Sequence, residues 1–209
     1  GDLDWNWSTQ SGEGRFDGII HPDVYKSFLD PYSWRHYISE INFKEPLRIS
    51  GSINIQAGFQ LEYAELRAQT GLAVLADRWV QNAFAKAFVT KEQVWFEDIA
   101  VYGPGWTLRG NAKQHFGDSS FRFLLYDSFD PKLLNVWLPD WWTGIWRPLS
   151  FYQTFLAGDI DIQGSWEHIE EVSLYANAQV IDCYYEQQYV PFAKSRVLLS
   201  QGNVLLDEF

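Results

Sequence analysis

Three acidic pairs are the first residues of this chain that could do chemistry: Glu97-Asp98, Glu170-Glu171 and Asp207-Glu208. Two carboxylates about 5 to 10 Å apart across a sugar could act as general acid and as base or nucleophile in glycoside hydrolysis. All three pairs fall at expected strand ends or turns, where solvated charges belong, so no glycosidase site is expected. Asp159 and Asp161 could offer oxygens to a calcium ion. Their counterparts in an earlier copy of the same pattern are Ser52 and Asn54, so a shared ion site is not maintained and the pair reads as the wet face of a strand.

The other reactive residue types are sparse. His21, His36, His115 and His168 show no HExxH or HxH spacing, and the single Cys183 has no candidate base beside it. One cysteine also excludes an internal disulfide and a cysteine-rich metal site. Gly103-Pro104-Gly105 lacks the long glycine loop and following Lys of a phosphate cradle and reads as a turn. No catalytic residue, metal or cofactor is expected. The densest aromatic cluster, Trp137, Trp141, Trp142 and Trp146, leaves three uses open: core packing of a short helix, cover or rim of an apolar groove, or stacking against sugar rings.

The elements that must position these residues follow from a repeat. GSINIQ at Gly51–Gln56 returns as GDIDIQG at Gly158–Gly164, 107 positions later. In both, Ile53 and Ile55, or Ile160 and Ile162, share one face of an extended strand while polar residues share the other. Ala64, Leu66 and Ala68 align with Val172, Leu174 and Ala176, and Phe84-Ala85-Lys86 recurs as Phe192-Ala193-Lys194. VWFED at Val94–Asp98 resembles VLLDE at Val204–Glu208. Upstream, Pro22, Val24, Tyr25, Phe28 and Leu29 align with Pro131, Leu133, Leu134, Trp137 and Leu138, so each copy is expected to open with a short apolar helix, about 22–30 and about 131–138. Five ordered matches at nearly one offset imply two tandem units of about 108 residues, 1–101 and 102–209.

Between these anchors run short alternating stretches joined by tight polar turns: LDWNWSTQ, RFDGII, RISGSINIQ, LEYAELRAQ, GLAVLADRW, AFAKAFV and QVWFEDIAV, then their second-unit equivalents. Consecutive short strands with short turns make an antiparallel meander. The fold class expected is mainly β, a curved open sheet with short helical insertions. Phe121, Phe123 and Leu125 share one face, as do Val172, Leu174, Ala176, Ala178 and Val180.

A net charge of −11 over 209 residues argues against nucleic acid and against electrostatic docking on anionic lipid headgroups. Any lipid contact must be apolar. No run of about 18 apolar residues exists, so no transmembrane helix is expected here. The absence of Met points to an internal or processed piece of a longer protein.

The second unit, with GDIDIQG, EEVSLYANAQV, CYYEQQYVPFAKSRVLL and NVLLDEF, resembles the repeating β-unit of the AsmA-like superfamily, including the YhdP- and TamB-type envelope proteins. Gly158, Ile160, Ile162, Gly164, Val172, Leu174, Tyr189, Pro191, Phe192, Val204 and Leu206 carry the match. The resemblance implies a taco-shaped sheet in the periplasm. Its apolar inner surface would conduct phospholipid acyl chains between two membranes, non-enzymatically, tethered to the inner membrane by a segment outside this chain. On that basis the lipid groove would comprise Ile53, Ile55, Leu66, Phe121, Phe123, Ile160, Ile162, Val172, Leu174 and Ala176, with Trp137, Trp141, Trp142 and Trp146 as rim or cover. Partners would be lipid acyl chains and neighbouring β-repeat units. The high Trp content departs from the family pattern. A carbohydrate-binding β-sandwich using exposed tryptophans is the alternative.

Overall fold

Alternation of apolar and polar side chains continues through almost every stretch between turns, and the backbone follows it. The computed structural model describes residues 1–21, 24, 41–136, 138, 140–151, 156–168, 171–200 and 203–207. In chain order the strands are β1 (Asp2–Asn6), β2 (Ser11–Ile20), β3 (Ile41–Phe43), β4 (Leu47–Gln56), β5 (Gln60–Thr70), β6 (Ala73–Leu75), β7 (Arg78–Val80), β8 (Asn82–Val89), β9 (Gln93–Gly103), β10 (Trp106–His115) and β11 (Ser120–Phe129). There follow β12 (Leu149–Phe151), β13 (Leu156–Ser165), β14 (Ser173–Tyr185), β15 (Gln188–Ser200) and β16 (Asn203–Asp207). A 3-10 turn, Pro131–Val136, and a short helix α1, Asp140–Trp146, lie between β11 and β12.

The main sheet is a thirteen-stranded antiparallel meander in the order β1-β2-β4-β5-β8-β9-β10-β11-β13-β14-β15-β16, with β12 beside β14. The mainly β, open-sheet expectation therefore holds. Among the described residues β1 pairs only with β2 and β16 only with β15, so the sheet does not close. It passes from β9 to β10 through the Pro104-Gly105 turn without interruption, Gly105 supplying the positive φ of 78°.

Six strands, β4 with β5, β8 and β9 and the preceding β1 and β2, recur in order as β13, β14, β15, β16, β10 and β11. The match extends to detail. In the first half β3 pairs with β6, Ile41 opposite Leu75; in the second β12 pairs with the end of β14, Leu149 opposite Tyr185. The β6–β7 hairpin turns on Ala76 and Asp77 at φ 48° and 62°, and the β14–β15 hairpin turns on Glu186 and Gln187 at 45° and 73°. GLAVLADRW is thus two short strands rather than one, because the left-handed pair Ala76-Asp77 folds it back on itself.

One alignment needs correction. Ile53 stands opposite Ala64, whereas Ile160 stands opposite Ala176, so Ala64 occupies the place of Ala176 and not of Val172. The slip is four residues. An even slip leaves every apolar side chain on its own face, which is why an alternating pattern alone does not detect it.

Other expectations shift locally. LDWNWSTQ is extended only to Asn6 and then turns. The helix expected over 131–138 is a 3-10 turn, capped by Asp130, whose carboxylate accepts from Lys132 N–H at 3.0 Å; the α-helix comes one step later, over Asp140–Trp146. Most of the helix expected over 22–30 lies outside the described residues; Val24 is 49% exposed.

Cross-strand register places one face of the main sheet in continuous succession. Leu3 and Trp5 lead through Phe16, Ile53, Leu66, Ala85, Ile99, Leu108, Phe123, Ile160, Ala176 and Val197. Over β10 to β15 this face is the protein core. The 3-10 turn and α1 contribute Leu133, Leu134, Trp142 and Trp146 to the same apolar cluster, Leu138 joins it from between them, and the small β3-β6-β7 sheet contributes Ala73, Leu75 and Val80.

Candidate functional site

Every residue expected in a lipid groove lies on this apolar face, but the face is in two different states along its length. Ile160, Ile162, Val172, Leu174 and Ala176 are between 1% and 3% exposed, and Phe121 is 4% exposed. Their partner surface is the chain's own, so at this end the expected groove is filled core. Phe123 is half-buried beneath Trp166, which stacks on Phe121 at 4.1 Å and meets Phe123 edge-on at 6.2 Å.

Toward β1 the same face is less covered. Ile49, Ile53, Ile55 and Leu61 are half-buried, Leu66 is 37% exposed and Leu3 is 70% exposed. Here the small residues have a reason. A Cβ on Gly51 would sit 2.1 Å from the Glu65 carbonyl oxygen and 2.9 Å from the Phe16 ring, so the absent side chain leaves that ring its space. The accessible part of the apolar face is therefore the β1-β2-β4-β5 end.

The tryptophans divide. Trp142 is wholly buried, with its indole N–H donating to Pro131 O at 2.9 Å, and Trp146 packs edge-on against it at 5.4 Å. Both cover the filled end. Trp137 and the Trp141 side chain lie outside the described residues. An exposed aromatic group exists elsewhere, at the tip of the β1 edge: Trp5 stacks on Phe59 at 5.4 Å and meets Trp7 at 5.9 Å, Trp7 being 81% exposed. Sequence reasoning placed Trp5 and Trp7 in a strand but did not join them to Phe59, because Phe59 enters through a β4–β5 turn in which Gly58 and Phe59 both take positive φ. Nearby, Asp4, Asn6, Glu13, Asn54 and Gln56, together with Ile55 and Ala57, line an open depression of about 690 Å³.

The carboxylates are spread over the sheet, and several are engaged in ion pairs. Asp161 receives both Arg122 nitrogens at 3.0 and 2.6 Å, and this pairing raises the arginine's pKa further. Glu97 takes Lys86 at 2.7 Å on the polar face; Glu170 and Glu208 lie outside the described residues. Asp118 is held below its ordinary pKa, chiefly by hydrogen bonding from Ser120. Among the described residues no group of three His, Cys, Asp or Glu side chains could hold a metal ion. Cys183 is buried, and burial pushes its thiol pKa up, away from nucleophilic character.

Arg78 of β7 donates to the fully buried Asp130 at 2.7 Å, tying the small sheet to the start of the 3-10 turn. Leu108, Phe129, Leu133 and Leu156, which fill this end, belong to the same apolar cluster as the residues of both covering elements. Leu108 and Leu156 were legible only as members of strands. No family model, curated protein or solved structure matches this chain. No helix among the described residues is long and apolar enough to cross a membrane.

Proposed function

We propose that this chain is a non-enzymatic β-repeat segment that shields lipid acyl chains against the apolar face of its open sheet, at the β1-β2-β4-β5 end. The observation that carries this reading is the continuity of one apolar face across the main sheet, with its C-terminal half occupied by the chain's own side chains and its N-terminal half only partly covered. Exposed contiguous apolar surface marks an interaction site. Acyl chains suit it because the sheet offers apolar area with few hydrogen-bonding groups, and a net charge of −11 disfavours attraction to anionic headgroups. The resemblance of the GDIDIQG unit to AsmA-like β-repeats supports the same reading and would place the segment in the periplasm, bridging toward a membrane.

The test is native mass spectrometry with lipid extraction on the purified chain, alongside Ile53→Glu and Ser52→Glu. Ile53 is on the apolar face and Ser52 on the polar one, opposite Arg15. Ile53→Glu is expected to remove bound phospholipid while Ser52→Glu retains it, with circular dichroism showing equal β content. Full lipid loading of a folded Ile53→Glu protein, or no lipid on any variant, sinks the proposal. A second reading rests on the ring cluster of half-buried Trp5 with the exposed Trp7 and Phe59, whose exposed faces suit stacking on sugars. Glycan-array binding that is lost in Trp7→Ala would favour it.

A further inference from the structure

Two neighbouring turns of the main sheet carry aromatic rings into solvent and hold no charged residue. Trp7-Ser8-Thr9-Gln10 joins β1 to β2, and Ala57-Gly58-Phe59 joins β4 to β5; because β2 pairs with β4, the two turns lie side by side at one end of the strands. They are bonded as well as adjacent. Gly58 N–H donates to Thr9 O and Phe59 N–H to Gln10 O, each at 3.3 Å. Asn6 Oδ1 accepts from the Ser8 N–H at 3.0 Å and from the Ser8 hydroxyl at 2.7 Å, which fixes the first turn from within. Trp7 is 81% and Phe59 60% exposed, and half-buried Trp5 braces both rings from behind. The Phe59 turn has main-sheet strands on either side, so its exposure is not that of a sheet edge.

Three observations select the partner. The rings are not coplanar, Trp7 lying at 71° and Phe59 at 29° to Trp5, so a rigid flat ligand meets only one of the two exposed rings at a time while a fluid surface meets both. The turns hold no charge that would have to leave water. Behind them the first row of the apolar face follows at once, Trp5 opposite Gly12, Gly12 opposite Ile55 and Ile55 opposite Leu61, so apolar surface continues inward from the tip. Rings of this kind, and tryptophan above all with its apolar body and polar N–H, settle at membrane–water interfaces.

The geometry points to this double turn as a membrane-docking tip that seats Trp7 and Phe59 in the interface of a zwitterionic bilayer. Asp4 and Glu13, opposite each other on β1 and β2 just behind the turns, and the net charge of −11 both act against anionic headgroups. The docking stands on the rings and the uncharged turns and does not require acyl chains on the sheet face.

The whole chain is floated with phosphatidylcholine vesicles in a density gradient, and the bound fraction is read against lipid concentration. The parent is expected to float. Trp7→Ala and Phe59→Asn should each lower partitioning on the order of tenfold, since each withdraws a large apolar ring, and Ala57→Glu should lower it while leaving every ring in place. Asn is used at position 59 because it tolerates the positive φ of 60° there. Trp79→Ala, which removes a ring 51% exposed on the small sheet, should leave partitioning unchanged, and circular dichroism checks parental β content throughout. Adding phosphatidylglycerol to the vesicles should weaken binding at low salt. A parent that does not float, tip variants that float as well as the parent, an equal loss in Trp79→Ala, or tighter binding to the anionic vesicles overturns the proposal; glycan binding without flotation gives the rings to sugars and overturns it too. Ile53→Glu separates docking from acyl-chain shielding. It should float like the parent even when stripped of bound phospholipid, and flotation lost in Ile53→Glu but kept in the tip variants puts the contact on the sheet face and overturns the tip.

Discussion

Replacing Trp142 is the sharpest way to ask whether the filled end of the apolar face is true core. The ring is fully buried, packs on Trp146, and donates its N–H to Pro131 O. Trp142→Ala removes the ring and leaves a cavity, a loss of about 3 to 5 kcal/mol, and strands a buried carbonyl worth about 1 to 3 kcal/mol more. Trp142→Phe keeps most of the apolar area but strands the same carbonyl, so its cost should be about 1 to 3 kcal/mol. For a chain of this size each kcal/mol moves the midpoint by about 2 to 4 °C, so Trp142→Ala should melt about 8 to 32 °C below the parent and Trp142→Phe about 2 to 12 °C below it. Thermal unfolding followed by circular dichroism measures both. Parental melting of Trp142→Ala with altered lipid or detergent binding would refute the core assignment and return this tryptophan to a groove rim. Equal losses for Ala and Phe would show that the hydrogen bond, and not packing, carries the effect.

Other substitutions separate the remaining roles. Gly158 sits at φ 150° with the Asn177 carbonyl 2.1 Å from where a Cβ would be, so Gly158→Ala should destabilise by about 1 to 3 kcal/mol in denaturant titration. Arg78→Ala strands the fully buried Asp130 carboxylate, so its loss should exceed that of Asp130→Ala, which gives up a cap but leaves Arg78, 45% exposed, to return to water; a larger loss for Asp130→Ala would show the cap to outweigh the ion pair. The Cys183 thiol, buried and raised in pKa, should react with alkylating reagents at neutral pH only at the rate of unfolding, and rapid labelling of native protein would contradict its placement.

Strand type and face were legible because alternation is a local property: GSINIQ and GDIDIQG state which side of the sheet each isoleucine joins without reference to any neighbour. The residues expected in a groove accordingly share one face of the sheet. What alternation leaves open is which part of that face stays accessible. Ile53 and Ile160 have the same local pattern, yet Ile53 is half-buried and Ile160 is 1% exposed, because Ile160 lies in the cluster completed by the 3-10 turn, α1 and the small sheet. Those contacts join residues far apart in the chain, as Arg78 and Asp130 do, and no short window contains them. The slip between β5 and β14 escaped for a related reason: period two fixes parity, not position. Phe59 escaped because a turn residue at positive φ carries no periodic signal.

The hairpin order of the main sheet bears on how the chain reaches its fold. Most main-sheet pairings join strands that follow one another closely in the sequence, as β4 with β5, β9 with β10 and β14 with β15 do. Sheets built from such near neighbours require less loop closure before each ladder forms than Greek-key sandwiches do, and low contact order accompanies fast folding. The chain can therefore zip outward from an early hairpin in either direction, each new strand completing the face of the one before it. The late arrivals are the covering pieces, since β3 must find β6 across thirty or more residues and Asp130 must find Arg78 across fifty-two. Between those two stages the apolar face of β10 to β15 stands bare, and that interval is when this protein has most need of protection from aggregation.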